Sequence, residues 1–241
     1  MKILLVIPAR YKSTRFPGKP LTDILGKPMI KRVYEKCAEA FPAEDIYVAS
    51  EDKRIIDYCE FQKIKSILTT DNCLTGTDRV AEVAETLVAD VFINVQGDEP
   101  VFNPEDIKLL VERVKAAPNN VYCGYCEIED EEMYVSRSVP KMVMGLNEQL
   151  LYMSRNAIPA NKAGEFRFAY RQVCAYAFPK EALKIYKGAG KKTPLEQEED
   201  LELLRFLEMG YPVQLVKMSK ESIAVDHPED VEKVIERLNN A

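Results

Sequence analysis

Apolar residues follow two rhythms along this chain. Residues 2–7 carry an unbroken branched run, Ile3-Leu4-Leu5-Val6-Ile7, of the kind that fills a strand buried on both faces. Similar runs recur at 45–50, 65–69 and 90–96. Between them the apolar positions fall at helical spacing. Met29, Ile30, Val33, Cys37 and Ala38 share one side of 27–40, a short helix fits 52–61, and Val80, Val83, Ala84 and Leu87 face inward along 77–89. Asn103-Pro104-Glu105-Asp106 combines an N-cap, a first-turn proline and acids that suit the helix dipole, and predicts a helix to about residue 117. This alternation predicts an α/β fold, a mostly parallel sheet flanked by helices.

From 121 to 186 the rhythm changes. Residues 121–128, 141–145 and 167–178 read as strands with no long helix between them, a smaller mixed β extension inside one domain spanning 1–241. Thr193-Pro194 then opens a helix predicted to run to about 209 and stopped by Gly210. A strand over 212–218 and a terminal helix over 228–238 close the chain.

The most polar interruption lies directly after the first run. Residues 8–21 hold Arg10, Lys12, Arg15 and Lys19 together with Ser13, Thr14 and Gly18, while Pro8, Pro17 and Pro20 rule out a regular helix. A cationic loop at the carboxyl end of a sheet strand lies where open α/β sheets bind ligands, and cations with backbone N–H groups suit a polyphosphate. A solvated basic loop is the plainer reading. Net charge decides between them, because the whole chain is acidic at −6 and a local cluster of cations on it points to a small anionic ligand rather than to nucleic acid.

At 241 residues the chain can bury a full core. No apolar run approaches the roughly 18 residues of a membrane span, and 3–9 is short for a signal peptide. Six cysteines are too few for a disulfide scaffold at this length, which points to reduced thiols and a cytoplasmic setting. Cys123 and Cys126 have redox-motif spacing but lie in a strand-like run, where alternation sends them to opposite faces. With His227 the only histidine, a structural zinc site and a nucleophilic triad are both disfavoured.

Two carboxylates follow buried runs. Asp98 stands in NVQGDEP and Asp226 in AVDHPED. Alone, each reads as a turn or helix-start residue. As a pair facing one phosphate pocket they could hold Mg²⁺, which takes carboxylate and phosphate oxygens. Thr75-Gly76-Thr77-Asp78-Arg79 opens a helix and could offer N–H groups, hydroxyls and a cation to a nucleotide, or form an ordinary cap with Arg79 solvated.

Taken together, IPARYKSTRFPGKPL, CLTGTDRVAEV, NVQGDEP and AVDHPEDVEKV resemble, in order and spacing, the signatures of the CMP-Kdo synthetases, the 3-deoxy-manno-octulosonate cytidylyltransferases. LLYMSRNAIP and TPLEQEEDLELLR align in kind. The resemblance implies a nucleotidyltransferase-type fold, a homodimer built through the mixed extension, and Mg²⁺-dependent transfer of CMP from CTP to a 2-keto-3-deoxy sugar acid. It implies that Arg10, Ser13, Arg15 and Lys19 bind triphosphate, Pro8, Ala9, Thr77 and Arg79 help hold cytidine, and Asp98 and Asp226 hold magnesium. Arg10, Arg15, Lys19 and Asp98 would carry the catalysis, and Gln96, Arg155, Gln172, Tyr176 and Glu202 would bind the sugar acid. Departures fall on the sugar side: Gln172, Cys174 and Leu203 stand where the family pattern has His, Gly and Gln. They imply either a changed acceptor, such as an amino-substituted Kdo or another ulosonic acid, or family drift with Kdo retained.

Overall fold

The computed structural model describes residues 1–13 and 15–240. Its eleven strands are β1 (Ile3–Pro8), β2 (Asp23–Ile24), β3 (Lys27–Pro28), β4 (Ile46–Ser50), β5 (Ser66–Leu68), β6 (Val91–Val95), β7 (Val121–Glu127), β8 (Lys141–Met144), β9 (Leu150–Ser154), β10 (Tyr170–Pro179) and β11 (Val213–Lys217). The helices are α1 (Met29–Ala38), α2 (Lys53–Phe61), α3 (Gly76–Thr86), α4 (Pro104–Ala116), α5 (Glu131–Val135), α6 (Lys180–Gly188), α7 (Pro194–Glu199), α8 (Leu204–Glu208) and α9 (Asp230–Asn239).

Among the described residues the main sheet runs β11-β7-β10-β6-β1-β4-β5. β1 pairs in parallel with β4 and β6, and β4 with β5, as βαβ crossovers require. β10 is inserted antiparallel between β6 and β7, and the β8–β9 hairpin hangs from its first residues. Two apolar layers cover the faces. One packs α3, α6 and α8 on the sheet through Val80, Val83, Leu183, Tyr186, Leu204 and Phe206. The other packs α1, α2 and α4 through Ile30, Val33, Ile55, Cys59, Ile107 and Leu110. Cys123 belongs to the first layer and Cys126 to the second, so strand alternation does separate them. All six cysteines are free thiols.

Helix starts follow local chemistry. Asn103 accepts the Glu105 N–H at 3.0 Å with Pro104 behind it, and Asp52 accepts the Arg54 N–H at 2.9 Å. Thr75 and Asp78 form a reciprocal capping box on α3. The structure corrects two sequence expectations. The helix predicted over 193–209 is broken: α7 ends at Glu199, the following Asp200 takes a left-handed conformation at φ 51°, and α8 starts only at Leu204. In addition, 180–188 is the helix α6 and 150–154 a strand, neither of which the apolar pattern singled out.

The carboxyl ends of β1, β4 and β6 lie together, and Gly97 after β6 packs closely on the end of β1. A Cβ built there would stand 2.7 Å from the Pro8 carbonyl, so only glycine lets the two loops meet. No helix among the described residues is long and apolar enough to cross a membrane.

Candidate active site

The cationic loop after β1 is a closed turn. Tyr11 C=O accepts the N–H groups of Ser13 at 3.0 Å and Gly18 at 2.9 Å, and Gly18 has φ 75° with the Tyr11 ring against it. The Arg54 guanidinium lies 3.3 Å from the centre of that ring. Beneath the loop, Glu51 Oε1 accepts the Tyr11 N–H at 3.0 Å. Pro8 and Ala9 continue from β1 into the loop, with the Ala9 N–H on Ala49 C=O at 2.8 Å. The Ser13 hydroxyl accepts the Phe16 N–H at 3.3 Å, and Arg10 is exposed at the loop entrance.

This loop meets both candidate carboxylates. Lys19 Nζ lies 2.7 Å from Asp98 Oδ2 and donates to Val225 C=O at 2.6 Å. Arg15 pairs with Asp226 at 3.4 Å. The Val225 N–H donates to Asp98 C=O at 2.9 Å, which ties the two acidic segments together. Three stretches spread over more than two hundred residues of chain therefore converge on one spot, with each acid facing a cation. Groups of this kind can exchange partners when a polyphosphate and a cation arrive: the Lys19 and Arg15 charges suit phosphate oxygens, and the two carboxylates suit a hard cation.

On the far side of Gln96 lies a second polar cluster. Gln96 Nε2 donates to Glu202 Oε1 at 3.1 Å, and the Thr77 N–H at the start of α3 donates to Glu202 Oε2 at 2.9 Å. Burial pushes the Glu202 carboxyl above its ordinary range, against those hydrogen bonds. Gln172 and Tyr176 lie on the same sheet face, with Gln172 Nε2 donating to the Tyr176 hydroxyl at 2.8 Å. Between Val173 and Tyr176 the register with β7 shifts, a bulge of the sort found beside active sites. Leu203 is fully buried in the apolar layer and offers this cluster no polar group.

Two of the predicted ligand-binding cations are engaged with partners inside the protein, one of them buried. Arg79 is buried, with its guanidinium 3.0 Å from Glu51 and a hydrogen bond to Thr69 Oγ1, so its charge supports the loop from below. Arg155 donates to the carbonyls of Glu199 at 2.6 Å, Arg137 at 3.1 Å and Asp200 at 3.1 Å, pinning the β8–β9 hairpin to α7.

Sequence reasoning missed Glu51, which lies beside Arg79 only because β4 ends next to α3. It also missed Glu99. That carboxyl is 3 % exposed and accepts the Ser222 hydroxyl; burial first, then the neighbouring Asp98 charge, raise its pKa to about 8. The Glu99–Ser222 contact is a second tie between the Asp98 loop and the segment that carries Asp226.

Comparison with known proteins finds relatives over nearly the whole chain. A family profile described as Cytidylyltransferase matches residues 4–223. The 3-deoxy-manno-octulosonate cytidylyltransferase of Protochlamydia amoebophila is 40% identical over 245 residues, covering 98% of this chain and 94% of that protein. The enzyme of the same name from Escherichia coli is 35% identical, covering 97% and 94%. A solved structure of CMP:2-keto-3-deoxy-manno-octonic acid synthetase complexed with CTP superposes with a TM-score of 0.91 at 34% identity, covering 100% of this chain and 99% of that one.

Proposed function

This chain belongs to the 3-deoxy-manno-octulosonate cytidylyltransferase family, and from that premise we propose that it transfers CMP from CTP to the anomeric hydroxyl of 3-deoxy-manno-octulosonate (Kdo), releasing pyrophosphate. The observation that carries the reading is the convergence of the cationic loop on two carboxylates, Lys19 on Asp98 and Arg15 on Asp226.

In this reading Arg10, Ser13, Arg15 and Lys19 take the triphosphate, with Pro8 and Ala9 forming the floor at the end of β1. Thr77 lies at the cytidine side, and Arg79 acts there indirectly, through Glu51 and the loop backbone. Gln96, Gln172, Tyr176 and Glu202 line the acceptor side, with Arg155 fixing its wall. The acceptor hydroxyl oxygen forms the new bond to the α-phosphorus in line with the breaking bond to the β-phosphate. The hydroxyl proton passes to solvent, and the electron pair leaves with pyrophosphate, whose growing charge Lys19 and Arg15 offset.

Asp98 and Asp226 would hold Mg²⁺. Among the described residues no group of three acidic, histidine or cysteine side chains forms a full protein cage, and a pair of carboxylates is the donor set of a cation that completes its shell with water and phosphate oxygens. When bound, that ion supplies charge neutralisation at the α-phosphate and a lower pKa for the attacking hydroxyl.

A changed acceptor, the alternative suggested by Gln172, Cys174 and Leu203, is not favoured. The relatives that match almost end to end carry the Kdo name, Leu203 is core, and Gln172 keeps a polar group on the acceptor side by holding Tyr176. The reading extends to a homodimer and to a cytoplasmic step toward lipopolysaccharide or capsule. Leu151 on β9 and Phe168 just before β10 are 61% and 59% exposed, apolar side chains near the β8–β9 hairpin that a second copy would cover.

The test is pyrophosphate release with CTP and Mg²⁺ over Kdo, 8-amino-Kdo and a sialic acid. Kdo is expected to be turned over fastest. Turnover of another acid without Kdo, or no release with any, would overturn the assignment.

A further inference from the structure

The apolar layer under α3 and α8 contains a buried charge cluster that takes no direct part in the chemistry described above. Arg205 on α8 has no exposed surface. Its Nε and Nη2 donate to the two oxygens of Glu196 at 2.6 and 2.7 Å, a two-pronged pairing, and its Nη1 donates to Asp78 Oδ1 at 2.8 Å. The plane of the guanidinium lies 3.8 Å from the centre of the Tyr186 ring. The Tyr186 hydroxyl reaches Glu196 at 3.3 Å and Thr75 Oγ1 at 3.2 Å. Glu196 is itself fully buried and caps α7 through the Thr193 N–H.

Two ends of this cluster lead to the site. Asp78 is the capping-box acid of α3, and it holds the Thr75 N–H at 2.9 Å, so it sets the turn that carries Thr77. Glu202 lies one helical turn before Arg205, in the gap between α7 and α8, and takes both the Thr77 N–H and Gln96. The break at Asp200 frees Glu202 from a continuous helix. Arg155 holds the Glu199 and Asp200 carbonyls on one side of it, and the fork between α8, α7 and α3 holds the other.

We propose that Arg205 is a positioning residue: by gripping Glu196 and Asp78 together it holds Glu202 in register with the start of α3, and so couples the acceptor side of the site to the nucleotide side. Lysine cannot replace it, because a single ammonium cannot span two carboxylates with a planar fork. The proposal rests on the Kdo-transfer reading for its kinetic readout, but its structural readout does not.

The test compares wild type with Arg205→Lys, Glu202→Gln and the double variant. Amide hydrogen exchange on the ligand-free protein comes first. Arg205→Lys is expected to speed exchange across 75–79 by about tenfold while the loop over 10–19 stays as protected as in wild type. In turnover, Arg205→Lys is expected to raise the acceptor KM by about tenfold and the calorimetric Kd for CTP by a smaller factor, with kcat within about twofold. In the Glu202→Gln background the same change should add less than about twofold, because residues acting through one another are not additive. Additive effects, or loss of kcat with both substrate affinities unchanged, would mean Arg205 only keeps the protein folded, and would overturn the proposal. If Arg205→Lys does not fold, Glu196→Gln keeps the shape of the fork and should give the same pattern at smaller size; unchanged exchange over 75–79 in that variant is also a refutation. Failure of wild type to turn over Kdo would overturn the activity assignment and leave the exchange result standing on its own.

Discussion

Glu99 is a carboxyl whose chemistry is set by its surroundings. It is buried next to Asp98, and its carboxyl titrates at about 8 in place of its ordinary 4.5. The folded state therefore keeps a proton that the unfolded chain gives up above pH 4.5, so this group's contribution to stability is full below 4.5 and is lost as pH rises toward about 8. The loss is at most about 1.4 kcal/mol per pH unit across that window. For metal-free protein, denaturant melts at pH 5 and pH 8 are expected to show wild type losing stability relative to Glu99→Gln as pH rises; parallel curves would refute the burial argument. Single residues were also where the sequence was hardest to read. Arg10, Ser13, Arg15 and Lys19 stand in one polar stretch and were visible as a group. Arg79 was read as a free cation because its partner, Glu51, is distant in sequence and joins it only when β4 and α3 pack together.

At the scale of elements, the start of α3 packs against both Gln96 and Glu202. A Cβ on Gly76 would stand 2.7 Å from Gln96 Nε2, the group that holds Glu202. Gly76→Ala is expected to keep the fold, since helix propensity favours alanine by roughly 1 kcal/mol, yet to cost at least about tenfold in kcat/KM by displacing Gln96. Unaltered kinetics with an unchanged melting temperature would show that Gln96 has no part in the acceptor side. The strands and helices up to residue 117 were legible because each apolar run was bounded by polar punctuation and each helix start had its own cap. The α7–α8 break was not legible. Residues 195–209 contain no glycine or proline, and the interruption comes from tertiary demands, the Arg205 fork on one side and Glu202 on the other. Helix α6 was hidden for a different reason: it follows β10 at Pro179 with no loop between them.

For the whole molecule, fold class and the order of the site motifs were readable, whereas the pairing of motifs was not. No local pattern shows that Lys19 faces Asp98 or that Arg15 faces Asp226; the sheet order puts them together. The same holds for assembly. If the exposed Leu151 and Phe168 are covered by a second copy, light scattering should give twice the 27.4 kDa chain mass, and Phe168→Glu should return it to one chain. A wild-type monomer at micromolar concentration would contradict the dimer. The central claim is that Asp98 and Asp226 act as one unit on a triphosphate held by the cationic loop. The most direct measurement is single-turnover CMP transfer by Asp98→Asn, Asp226→Asn and the double variant, with CTP binding followed in parallel. Each single change should slow transfer by about 100-fold or more while CTP still binds, and the double change should cost little beyond either one. Near-normal transfer by either single variant, or losses that multiply in the double, would contradict it.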